Sequence, residues 1–348
     1  CTVGDDGHIM TSSNGISWTD RSIANSVSII GLCWADSLNL FVAVTTDISF
    51  DQKLLTSSNG INWTAIDMTG ILQSNVAFTG NVIWSYELGL LIGFSSSGGL
   101  TVTSTNGVNW LSHSTSLPTN TQWSDACWAN SLGLFVLIGF NEQYFYTSPD
   151  GTTWTSRTVP DPYNWDAITW SQDLGLLCAL SSNRSSNAIM TSPDGINWTS
   201  QSTGFSGSTF KSITWGSVPG LFICAGYSLS SPYNVIAYSF DGINWSVRTG
   251  GTQQYITAVT WSADLGIFVA LPGPFSGGTI GVVSPIGSSI VNCNLTVKGM
   301  TNVSNLVMTG GIKYAVTTIT SNTTLDNTYY LVNVNASGSC TVTLPLAA

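Results

Sequence analysis

The chain has 348 residues, with 8 Lys and Arg against 18 Asp and Glu and a formal net charge of −10. Only 7% of it is charged and 11% is aromatic, with 35 Gly and 14 Trp, which excludes a disordered polyelectrolyte. Nucleic acid as a partner is excluded too, because phosphate contacts need clustered cations, and Arg21, Lys53, Arg157, Arg184, Lys211, Arg248, Lys298 and Lys313 are scattered.

The chain opens at Cys1 in what reads as the middle of a repeat, so it is expected to continue a longer polypeptide. Its first patterned element is the box TSSNGISWT (11–19). The box returns as TSSNGINWT (56–64), TSTNGVNWL (103–111), TSPDGTTWT (147–155), TSPDGINWT (191–199) and YSFDGINWS (238–246). SPIGSSI then places Ile290 where a seventh, decayed copy would put its Trp. Trp18, Trp63, Trp110, Trp154, Trp198 and Trp245 recur every 44 to 47 residues, a period that signals a closed array of small sheets.

Each box alternates apolar and polar residues on both sides of a turn, as a β-hairpin does. Asn14, Asn59, Asn106, Asp150, Asp194 and Asp241 each precede a Gly. An Asx side chain accepts turn amides, and Gly supplies positive φ without steric cost. The Trp three residues after the Gly is suited to filling the wedge between neighbouring sheets.

A second motif runs out of phase with the box. It reads CWADSLNLFVAV (33–44), IWSYELGLLIGF (83–94), CWANSLGLFVLIGF (127–140), TWSQDLGLLCAL (169–180), TWGSVPGLFICAG (214–226) and TWSADLGIFVAL (260–271). Each is an apolar segment ending in Trp, a polar turn and a second apolar segment, hence another hairpin. Two hairpins per repeat make four strands, lettered A to D from the axis outwards. The expected fold is all-β: a seven-bladed β-propeller of four-stranded blades over 1–290, a β-structured stem over 291–311 and the start of a C-terminal β module over 312–348. Residues 1–20 supply only strands B, C and D of their blade. The missing innermost strand is expected from residues upstream of Cys1.

The box resembles the Asp-box (BNR-like) repeat in a short form, S-x-[DN]-G-x-x-W. The resemblance implies a structural role for Asn14, Trp18, Asn59, Trp63, Asn106, Trp110, Asp150, Trp154, Asp194, Trp198, Asp241 and Trp245. It says little of activity, since such propellers include sialidases, xyloglucan hydrolases, sorting receptors and photosystem assembly factors. Beyond residue 290, CNLTVKGMTNVSNLVMTGG and the later TTLDNTYYLVN and TVTLP resemble the shafts and C-terminal modules of phage tail fibres and large-DNA-virus fibres. That resemblance implies a trimeric stem. Residues 291–311 are also too few and too polar to bury a core alone.

The chemistry-bearing residues are sparse. Seven Cys without CxxC spacing make neither a disulfide framework nor a zinc site, and they read as small buried thiols. His8 and His113 pair with no Ser or Cys at a recognisable spacing. Four Arg, three of them on outer strands, cannot supply the arginine triad of a sialidase. A glycosidase needs two facing carboxylates. Glu87 lies in an A–B turn. Asp125, Asp166 and Lys211 fall on innermost strands and read as a polar channel lining rather than a catalytic group. The chain is therefore expected to be no enzyme and to need no metal or cofactor.

Binding has the better case. The B–C loops diverge between repeats and share one face with the D–A connections. Trp123, Tyr144, Phe145, Tyr163, Trp165, Arg184, Tyr233, Asn234 and Tyr255 on those segments form the expected ligand-binding set, suited to a carbohydrate or a protein surface, with packing between blades the alternative for Trp123 and Trp165. The expected role is a fibre or spike on the virion surface whose propeller head attaches to a host glycan or receptor. Its expected partners are copies of itself in a homotrimer and other virion proteins, with no nucleic acid and no membrane insertion. The alternatives are a polysaccharide-degrading glycosidase and a purely structural capsid decoration.

Overall fold

The protein is seen here as a computed structural model. It describes residues 1–283 apart from 5–6, 24–27, 47–52, 73–77, 96–98, 120, 141–142, 162–163, 183–187, 206, 229–233, 250–255 and 273–280. Beyond 283 it describes four short strands. The chain divides into two compact units, Cys1–Val283 and Ser284–Ala348.

The box turns form as their residues dictate. In the fifth, the Ser192 hydroxyl accepts the Gly195 amide at 2.9 Å, and Asp194 Oδ1 accepts the Ile196 and Asn197 amides at 2.8 and 2.7 Å. Gly195 sits at φ +71°, where an L side chain would be strained. Trp198 Nε1 then donates back to the Gly195 carbonyl at 3.3 Å. The same four bonds recur in the boxes of Trp18, Trp63, Trp110, Trp154 and Trp245.

Every propeller sheet is antiparallel, and its strands follow chain order from the axis outwards. The innermost strands are Ser28–Ala35, Phe78–Ser85, Trp123–Ala129, Trp165–Ser171, Ser208–Gly216 and Ile256–Ser262. They found six blades, here I to VI. Blades I to V are four-stranded, and blade VI shows three strands among the described residues. Thr2–Val3, Ile9–Thr11 and Thr19–Asp20 form a further three-stranded sheet that shows no innermost strand among the described residues.

The expectation of seven four-stranded blades is therefore corrected to a six-bladed propeller. The sequence period counts box hairpins, whereas a blade is founded on an axial strand. The N-terminal sheet has the hairpin without that strand. It packs between blades VI and I. A Cβ on its Gly15 would lie 2.3 Å from Ile267 Cδ1 of blade VI, while its Thr11 lines Gly60 of blade I.

The cores lie between consecutive sheets. One joins Val42, Val44 and Leu54 of blade I to Phe78, Leu91 and Trp110 of blade II. The next joins Ile92 and Phe94 of blade II to Phe135, Tyr146 and Trp154 of blade III. Trp154 packs on strand B of the preceding blade, against Phe94, with ring centroids 5.7 Å apart. Trp198 meets Phe145, on the third strand of blade III, edge-on at 4.7 Å. Trp110, Trp154 and Trp198 are buried, and Trp18, Trp63 and Trp245 are half-buried.

In the second unit, Val316–Ile319 pairs in parallel with Leu331–Val334, and Thr323–Thr324 with Val342–Thr343. The stem expected over 291–311 lies outside the described residues.

Candidate functional site

In blades II to V the tryptophan near the end of the innermost strand reaches the turn of the preceding blade. Trp84 Nε1 donates to Asp36 Oδ1 at 2.8 Å, and Trp128 Nε1 to Glu87 Oε2 at 2.6 Å. Trp170 Nε1 donates to Asn130 Oδ1 at 2.9 Å, and Trp215 Nε1 to Asp173 Oδ2 at 2.9 Å. The acceptor is always the residue two or three after the Trp of the previous repeat. A short polar turn places it there, as in the 3-10 turn Asn130–Leu132 that closes at Gly133 with φ 62°.

These bonds link blades I to V in a girdle. Two of the indoles have one face covered by a strand-B Phe: Trp128 lies on Phe135 and Trp215 on Phe222, at 4.4 and 4.6 Å, while Trp84 and Trp170 stand across from Leu91 and Leu177. The girdle stops at blade VI. Trp261 Nε1 is buried without a partner, and the preceding turn carries Ser217 and Val218 in place of an acid or amide. Trp34, on the other side of the gap, is 41% exposed.

Inside the girdle a cavity of about 340 Å³ opens on the face of the A–B turns. The indoles of Trp84, Trp128, Trp170 and Trp215 wall it, with Glu87 and Asp173 between them and Tyr86, Asn130, Gln172 and Ser217 at the rim. Tyr86 is 64% exposed. No Lys, Arg or His is among these ten residues. The volume lies in the range of small-ligand clefts. Aromatic faces beside hydrogen-bonding carboxylates suit a sugar ring or another partly apolar, donor-rich group.

The inner-strand acids serve the blades rather than the cavity. Each innermost strand carries a β-bulge. In blades III to V this brings Ser124, Asp166 and Lys211 out of the ladder. Ser124 donates to the Trp165 carbonyl of the next blade at 2.5 Å, and Lys211 Nζ pairs with Asp166 Oδ1 at 2.5 Å. Asp125 accepts the Ile168 amide at 3.0 Å and Asn81 Nδ2 at 3.1 Å, tying blades II, III and IV together. Desolvation pushes its pKa up to about 6, against the hydrogen bonds from Ile168, Asn81 and Ala126 that lower it. These residues are a satisfied inner lining.

Of the nine residues expected to bind ligand, three are core. Trp165 and Phe145 are wholly buried and meet edge-on at 5.5 Å, and Trp123 is buried against Tyr146 at 5.4 Å. None of the three presents a face to a ligand: Trp123 and Trp165 begin innermost strands and fill the gap between blades, and Phe145, on the third strand of blade III, packs against Trp165 and Trp198. Tyr144 is 39% exposed. Asn234 begins the strand Asn234–Ser239. Tyr163, Arg184, Tyr233 and Tyr255 lie outside the described residues. His113 Nε2 bonds Thr103 Oγ1 at 2.8 Å, and His8 Nδ1 bonds Ser22 Oγ at 3.1 Å. Cys178 and Cys224 are buried thiols, and Cys1, Cys33 and Cys127 are half-buried; all five are free. Burial pushes the Cys33 thiol up to about 12.

The sequence reading missed the girdle. Its signal was an acid or amide two or three residues after the strand-A Trp, with its partner one whole repeat away.

No protein-family profile matches the chain, and no curated protein matches it. Solved structures do. YCF48 bound to a D1 peptide is 15% identical with a TM-score of 0.62, over 82% of this chain and 89% of that one. A catalytically inactive virginiamycin B lyase from Staphylococcus aureus, solved with quinupristin, is 11% identical with a TM-score of 0.57, over 81% of this chain and 89% of that one. The GH74 enzyme of Niastella koreensis is 15% identical with a TM-score of 0.53, over 82% of this chain but 44% of its own. The chain is a β-propeller. At these identities the likeness carries the fold alone, and the three neighbours differ in what they do.

Proposed function

We propose that the protein is a binding propeller that takes a surface glycan in the tryptophan-walled mouth between the A–B turns. The observation that carries this reading is the cavity of about 340 Å³ with four indoles from four consecutive blades around it. Sugar rings stack on such faces, and their hydroxyls find acceptors in Glu87 and Asp173. The indole bonds hold both carboxylates in place before any ligand arrives, which lowers the ordering cost of binding.

The setting proposed for this activity is a virion surface fibre that attaches to its host, with copies joined through 291–311. The resemblance of 291–348 to fibre shafts and modules supports it. A trimer multiplies weak sites into useful avidity, so each mouth needs only millimolar affinity. Copies of the chain, other virion proteins and a host glycan or receptor are then its partners.

Glycan-array binding followed by titration of the best hit against indole fluorescence tests the reading. Tyr86→Ala should weaken that binding several-fold while melting as the parent protein does. An array without hits, or binding unmoved by Tyr86→Ala together with Gln172→Ala, would remove the mouth as the site. A second reading has one observation in its favour: Glu87 and Asp173 are two carboxylates lining one cavity, as a glycosidase requires. Release of shortened sugars from the bound glycan would put the hydrolase ahead.

A further inference from the structure

We infer that Glu87 and Asp173 are specificity determinants that admit neutral or amine-bearing sugars and turn away sugars bearing a carboxylate or sulfate. The inference rests on the glycan reading of the mouth. It adds a rule of selection to it.

Each of the two carboxylates is held by one oxygen only. Trp128 takes Glu87 Oε2, and Trp215 takes Asp173 Oδ2. Among the described residues, Glu87 Oε1 and Asp173 Oδ1 accept no hydrogen bond. Two fixed anions, each with an unused acceptor oxygen, therefore line one cavity. A hydroxyl or ammonium group satisfies such an oxygen, whereas a ligand anion meets like charge and donates nothing.

No described residue that lines the cavity offsets that charge. The ten lining residues include no cation. Lys211 of blade V is already paired with Asp166 at 2.5 Å. Asp36, on the adjoining turn, adds a third carboxylate held in the same way by Trp84. Over the whole chain the balance is −10, so the long-range field also repels anions.

The indole bonds are what give the rule precision. A free surface carboxylate would swing away from an anionic ligand and into solvent, and its effect would fade with salt. Glu87 and Asp173 can swing away only by giving up an indole hydrogen bond.

The test is a glycan array of matched pairs, each a neutral oligosaccharide and its sialylated or sulfated counterpart, followed by titration of the best pair at low salt. The neutral member should bind about tenfold more tightly. The double variant Glu87→Gln, Asp173→Asn keeps an oxygen for each indole N–H and removes both charges. It should close most of that gap, with an unchanged melt. Equal binding of both members by the parent protein would overturn the inference and leave the glycan reading standing. A gap that persists in the double variant would overturn the role of these two residues. Binding of no oligosaccharide of either kind would sink the glycan reading and the inference with it.

Discussion

Asp150, Asp194 and Asp241 differ from Asn14, Asn59 and Asn106 only by a charge, because both kinds of side chain close the same turn. The charge has a consequence. Partial burial alone would raise these three carboxyls, but two backbone amides and the preceding Ser hydroxyl outweigh it and hold each down to about 2. A folded value below the ~3.9 of an unfolded Asp means stability complete above about pH 4 and lost as the pH falls towards 2. Changing all three to Asn should flatten that acid limb in melts taken from pH 5 downwards. Curves that stay parallel to the parent would refute it. Asp125 has the opposite sign. Its raised value, about 6, favours the folded state at low pH, and the benefit disappears as the pH rises through the interval from about 4 to 6. Asp125→Asn should therefore remove a fall in stability across that interval, even though it loses one of its backbone hydrogen bonds. Melts at closely spaced pH values separate the two limbs.

At the scale of the element, a blade is a set of hairpins wedged against its predecessor. Trp198 is the clearest wedge, 8% exposed and edge-on to Phe145 of the blade before it. Trp198→Ala should cost ~3–5 kcal/mol, the usual range for an emptied aromatic site. A melt unchanged by that substitution would contradict its place in the core. The box glycines rank themselves in the same way. Gly195 and Gly151 both have positive φ, so Ala at either position costs ~1–2 kcal/mol in backbone strain. A Cβ at Gly195 meets nothing closer than 3.4 Å, whereas at Gly151 it would fall 2.1 Å from Ile92 Cδ1 of the preceding blade. Gly151→Ala should thus cost ~1–3 kcal/mol more than Gly195→Ala. Denaturant midpoints for the two variants check the order, and equal midpoints would mean that the blades separate easily there.

For the molecule as a whole, the proposed fibre makes a claim about assembly. The chain should sediment as a trimer, since 291–311 is too few and too polar to bury a core alone and pairing with copies of itself is one way to stabilise it. A monodisperse monomer at micromolar concentration would remove the stem from the proposal without touching the mouth. The mouth lies on the face of the A–B turns, opposite the divergent B–C loops. The girdle instead uses nearly constant positions, and its asymmetry comes from which acid or amide each turn supplies: Asp36, Glu87, Asn130, Asp173, and then Ser217 and Val218 where the ring opens.

The sequence alone determined everything local and periodic. Box turns, two hairpins per repeat and four strands from axis to rim follow from Ser, Asx, Gly and Trp at fixed offsets, and the bonds that enforce them span three residues or fewer. The blade count was beyond it. Closing a ring depends on which strand founds each blade, and the N-terminal hairpin sheet has the box but, among the described residues, no founding strand. The fate of the aromatics was also tertiary: Trp123 and Trp165 share their residue type with Trp128 and Trp170, yet the first pair fills the wedge and the second pair walls the cavity. Glu87 meets Trp128 across 41 residues and Asp173 meets Trp215 across 42, about one repeat apart. A side chain can point to such a partner only after the propeller has stacked one blade on the next, and so the mouth belongs to the fold and not to any single motif.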